Sequence, residues 1–66
     1  MTLEKIKERI RNIAKISDDD EIAHIEEDSL YFDFVKHISK TGNDEQRKMA
    51  IAILKTKKLN FSRWYA

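Results

Sequence analysis

His24, Glu27 and Asp28 stand at i, i+3 and i+4, so on a helix all three side chains reach toward one point. An imidazole and two carboxylates are ligand types for Zn²⁺, Mn²⁺ or Fe²⁺, and the same trio could exchange protons with a substrate. Neither chemistry is complete here. His37 lies more than three turns further on and too far round the helix to serve as a fourth ligand. No nucleophile or oxyanion donor accompanies the trio. The expectation is therefore no catalytic residue, no metal and no cofactor, and a structural reason for the cluster.

That reason comes from the helix wheel of residues 18–38. Leu30, Tyr31, Phe34, Val35 and Ile38 fall on one face at 100° per residue. Glu27 falls in the middle of this apolar sector, flanked by Ala23, Leu30 and Tyr31, and His24 and Asp28 lie on its wider margin. A carboxylate buried at such a place needs a partner. Arg63, between Phe61 and Trp64, is the obvious candidate, since its planar fork takes a carboxylate with two parallel bonds. The sequence thus predicts a polar latch of His24, Glu27, Asp28, Arg63 and Trp64 between the second helix and the chain's end.

The elements that must hold this latch are legible in order. Leu3, Ile6, Ile10, Ile13 and Ile16 recur at spacings of three and four, with Lys5, Lys7, Glu8, Arg11, Asn12 and Lys15 on the other side. This predicts an amphipathic helix over about 3–16, capped by Thr2 and carrying Glu4 in its first turn. A basic amphipathic helix can also lie on a membrane, but the stripe is narrow, aliphatic and free of Trp and Phe, which favours a core. Ser17-Asp18-Asp19-Asp20 breaks the periodicity. Asp18 with Glu21 three residues later resembles a capping box for a second helix over about 19–39. A divalent cation on the Asp run is the weaker alternative, because the Gly and the distal Glu of an EF-hand loop are missing.

Gly42, the single glycine, suits the left-handed residue that ends a helix. Asn43 with Gln46 then caps a third helix over about 44–57, whose inner stripe is Met49, Ala50, Ile53 and Leu54. Lys55, Lys57 and Lys58 follow at its negative pole. A tail over 59–66, with three aromatics among its last six residues, is expected to be ordered and to fold back on the helices.

Composition agrees with an all-α fold. The chain has 66 residues, one Gly, no Pro and no Cys, so it predicts a single small three-helix domain without disulfides or thiolate metal sites. A core this small needs either unusually good packing or a second chain to complete it, which makes a homodimer one expectation. MTLEKIKERI carries charges where a signal peptide needs an apolar run, and nothing approaches a membrane span. A cytoplasmic protein is expected.

Charge is segregated although the net value is +1. Residues 1–16 hold five basic and two acidic groups, residues 17–38 one basic and eight acidic, and residues 39–66 seven basic and two acidic. Internal neutralisation of the acidic helix by its basic neighbours is one reading. The other is a basic face of Arg47, Lys48, Lys55, Lys57 and Lys58, with Arg63, Trp64 and Tyr65 nearby, contacting phosphates and stacking bases.

Two of these stretches together carry a resemblance. Residues 23–30, AHIEEDSL, read as AHxxEDxL, and residues 60–66, NFSRWYA, approximate DFxRWYA. The pair resembles a family of small uncharacterised proteins of bacterial and phage genomes. The resemblance spans most of the chain from Asp18 onward and departs at Asn60, where the pattern has Asp. It implies that His24, Glu27, Asp28, Arg63 and Trp64 belong to one shared feature, and it implies no activity. The function expected is a protein–protein interaction module, binding another protein or itself. The alternative is a nucleic-acid-binding or phage–host regulatory factor using the basic face.

Overall fold

The computed structural model describes residues 1–61, and these are all-α. Three helices follow one another: α1 (Leu3–Lys15), α2 (Asp20–Thr41) and α3 (Asp44–Leu54), with a 3-10 turn over Lys55–Lys58 continuing from α3. The helix bounds agree closely with those read from periodicity. The chief difference is the tightening of the third helix into 3-10 geometry after Leu54, a frequent way to finish a helix.

Local capping accounts for where each helix begins. Thr2 is extended, and its hydroxyl accepts the Lys5 N–H at 3.2 Å. The cap of α2 is Asp19 rather than Asp18: the Asp19 carboxylate accepts the Ile22 N–H at 3.1 Å, and its carbonyl accepts from Ala23. In an Asp-Asp-Asp run each residue satisfies the same pattern, and the ladder chooses the register. The α3 box is complete. Asn43 Oδ1 accepts the Gln46 N–H at 2.8 Å, and Gln46 Oε1 accepts the Asn43 N–H at 3.0 Å.

Gly42 departs from expectation. It has no positive φ and instead extends the helical pattern, its N–H donating to the Ile38 carbonyl at 2.9 Å. Glycine is required here for space. A Cβ at this position would meet the Ile38 carbonyl oxygen and Gln46 Cβ, each at 2.9 Å. The next helix starts immediately after Asn43, so its first turn crowds the end of α2.

Two compact units divide the described chain within α2, residues 1–31 and residues 32–61. In the first, Ile6 and Ile13 of α1, Ile16 at its C-cap, and Ala23 and Ser29 of α2 are half-buried, and Leu30 is buried at 7% exposure. In the second, Phe32, Val35, Ile38 and Leu54 are half-buried and Ala50 is buried at 5%. The single apolar face expected of α2 is not what is found. Tyr31 and Phe34, on that face, are exposed, whereas Phe32, off it, is half-buried beneath the Lys57 ammonium, 4.6 Å from the ring centroid. Ile22, Ile25, Phe32, Phe34, Val35 and Ile38 point in several directions round the axis, so α2 needs cover on more than one side.

Candidate functional site

The residues singled out for chemistry are all placed by α2. His24 and Glu27 are exposed and Asp28 is half-buried. A carboxylate sealed in the core, the premise of the latch, is not found at Glu27, which is exposed, while Asp28, the other carboxylate expected to pair with Arg63, is half-buried. An exposed carboxylate retains its water and needs no guanidinium. Arg63 and Trp64, the other half of the expected latch, lie outside the described residues, as does Tyr65. Among the described residues, no three His, Asp or Glu groups converge on a point where a metal ion would sit.

A residue that the wheel reading passed over is better placed. Arg9 is half-buried and donates from a guanidinium nitrogen to the Ser29 hydroxyl at 3.4 Å, joining α1 to the first half of α2. The signal was present. At 100° per residue Arg9 falls between Ile13 and Ile16, inside the isoleucine stripe of α1 rather than opposite it. Arg9, Asn12, Ile13, Ile16 and Glu26 line a half-open hollow of about 170 Å³. That is below the range of about 300–1,000 Å³ in which small-molecule pockets fall. It has room for a few waters or one side chain from a partner.

The residues of the expected basic face have different surroundings. Arg47 is paired with Asp44 one turn before it on α3. Lys57 is turned onto Phe32. Lys48 borders an open depression with Asp44, Glu45, Met49 and Ala52, so two carboxylates share its surroundings. Lys55 and Lys58 are exposed in the 3-10 turn.

Apolar exposure is the strongest feature of the described surface. The inner stripe expected of α3 is only half covered. Ala50 is buried and Leu54 half-buried, but Met49 is 55% exposed and Ile53 56%. Ile22 and Ile25 of α2 and Leu3 and Ile10 of α1 are likewise exposed. Among the described residues no side chain is completely buried, and no buried polar atom lacks a partner. No helix is long and apolar enough to cross a membrane.

Comparison with protein families, with curated proteins and with solved structures finds no match for this chain.

Proposed function

We propose that this chain is a small helical protein–protein interaction module, completed by a partner. One observation carries the reading. Ile and Met side chains on one flank of α3 and on α2 stay about half in water, while only Leu30 and Ala50 are buried among the described residues. Exposed apolar side chains of this kind fit a binding surface, and a chain of this size has little core with which to hold itself together. The proposal assigns no catalytic residue. The likeness of residues 23–30 and 60–66 to small bacterial and phage proteins belongs to the same proposal and adds no activity to it.

The test is association. Purified protein is examined by sedimentation velocity and by thermal melting across a concentration range, alone and with any protein it captures. A partner that binds the folded chain raises its melting temperature as partner concentration rises. A chain that stays monomeric, melts independently of concentration and forms no stoichiometric complex overturns the reading.

The basic-face reading is separated by salt. Phosphate contacts give binding that falls linearly with the logarithm of salt concentration. Retention on DNA with such a slope, lost on replacing Lys55 and Lys58, would favour nucleic acid. Against it stand Asp44 beside Arg47, and Asp44 and Glu45 beside Lys48.

A further inference from the structure

We propose that the hollow between α1 and the first half of α2, with Ile22 and Ile25 beside it, docks a lysine- or arginine-rich segment of another protein that carries an apolar anchor side chain. This rests on the interaction-module reading and names its surface and the chemistry of its partner. The hollow, about 170 Å³, is lined by Ile13 and Ile16 and by the polar Arg9, Asn12 and Glu26. It is too small for a ligand molecule of ordinary size and has room for one apolar side chain. Ile22 stands one turn before Glu26, at i and i+4, and Ile25 stands three residues after Ile22. The two isoleucines, both exposed, therefore form a ridge on α2 next to the hollow's Glu26 wall.

Charge selects the occupant. At 100° per residue the Ile22–Ile25 ridge falls between Glu26 on one side and Glu21 on the other. Both carboxylates are exposed, as is Glu8, one turn before Asn12 on α1. No Lys or Arg occurs on α2 from Asp20 to Tyr31. The one cation lining the hollow, Arg9, is half-buried and donates to Ser29. Arg11 and Lys15 fall on the side of α1 away from Ile13 and Ile16, and Lys5 lies about two turns before Asn12. A phosphate backbone or an anionic membrane would meet three carboxylates here. Self-pairing of this surface across a two-fold axis would set carboxylate against carboxylate. A cationic segment is attracted and oriented by the same groups. Its apolar anchor fills the hollow while its ammonium and guanidinium groups stay on the rim, the usual arrangement of an anchor inside a polar border.

The experiment titrates the full chain into labelled synthetic peptides and reads fluorescence anisotropy, with helicity by circular dichroism as the folding control. The probes are a short amphipathic Lys/Leu peptide, a Lys/Ser peptide without an anchor, and a Glu/Leu peptide of opposite charge. The Lys/Leu peptide should bind saturably, and more weakly as salt rises. The Lys/Ser peptide should bind at least about tenfold more weakly, as loss of an apolar anchor does. Glu21→Lys/Glu26→Lys should lower affinity for Lys/Leu at least about tenfold at unchanged helicity, and should bind the Glu/Leu peptide that wild type rejects. That gain separates a charge-matched surface from a fold merely damaged by substitution. Asn12→Trp, which adds bulk at the hollow from an exposed position on α1, should lower the Lys/Leu affinity to that of Lys/Ser. Equal affinity for Lys/Leu and Lys/Ser, unchanged by Asn12→Trp, means unspecific attraction to acidic groups and overturns the proposal. A Lys/Leu peptide that does not bind saturably also overturns it, and concentration-dependent melting with a captured protein would then leave the module reading standing on another surface. Tighter peptide binding by full-length Arg63→Ala than by wild type puts the chain's own end on this surface. Self-association lost in Glu21→Lys/Glu26→Lys puts a second copy there. Either result overturns the proposal.

Discussion

The Arg9 guanidinium donates to the Ser29 hydroxyl across 3.4 Å, from α1 to α2, with both side chains half-buried. The bond is long, so its own contribution is at the low end, about 0.5–1 kcal/mol. Arg9 also lines the hollow with Ile13 and Ile16, where its long aliphatic stem has apolar neighbours to pack on. If packing of the stem is what the position needs, Arg9→Met, which keeps it, should cost little in urea unfolding. Arg9→Ala should cost clearly more, and Ser29→Ala less than Arg9→Ala. Equal losses for Arg9→Met and Arg9→Ala would show that charge, not packing, is what the position needs.

Gly42 yields a test that separates space from backbone conformation. Its φ is not positive, and an added Cβ would press on the Ile38 carbonyl oxygen and Gln46 Cβ at 2.9 Å. Gly42→Ala should destabilise by about 1–3 kcal/mol, the usual range for overpacking. Gly42→Asn should do at least as badly. Were a left-handed residue needed, Asn would be much the better tolerated of the two. An Asn variant as stable as wild type would contradict the crowding argument.

The run Asp18-Asp19-Asp20 makes a clean comparison of neighbours. Only Asp19 accepts from the Ile22 N–H. Asp19→Ala should lower stability by about 1 kcal/mol, as loss of a helix cap does. Asp18→Ala should change it by no more than about 0.5 kcal/mol, as for an exposed position away from special features. Thermal melts of the two variants at one concentration read the difference directly, and a larger loss at Asp18 would move the cap.

Glu27 is exposed, so Glu27→Gln should shift unfolding free energy by no more than about 0.5 kcal/mol. A loss of about 3 kcal/mol or more would reveal a charged partner for this carboxylate, since that is what breaking a buried pair costs. The variant thereby tests the Glu27 arm of the latch expected between α2 and the end of the chain, and Asp28→Asn, at the half-buried carboxylate, tests the other.

Much of the helical layout is readable from the residues themselves. The 3-4 spacing of Ile6, Ile10, Ile13 and Ile16, the Thr2 cap and the Asn43/Gln46 box are local features, and local features survive into the fold. What is not legible is which sector of α2 its neighbours cover. With apolar residues on every side of that helix, the wheel has no single best face, and the expected burial of Glu27 followed from choosing one. The cover of Phe32 is equally invisible to a local reading, since Lys57, whose ammonium lies over the ring, sits on an element far along the chain. Arg9 is legible too, as the one charged residue whose wheel position falls inside the isoleucine stripe rather than on the polar side.

The shallow burial of Leu30 and Ala50, the two buried residues among those described, bears on how long the chain survives. Amide protons exchange, and peptide bonds are cut, through openings whose population follows the local stability. Where no side chain is completely enclosed, those openings are frequent, and backbone near Leu30 and Ala50 should be the last to exchange. On the interaction-module proposal, a partner seated on the exposed flanks would close those openings. The steady-state amount of this protein would then track the supply of that partner, and an excess made without it would be removed by proteases rather than stored.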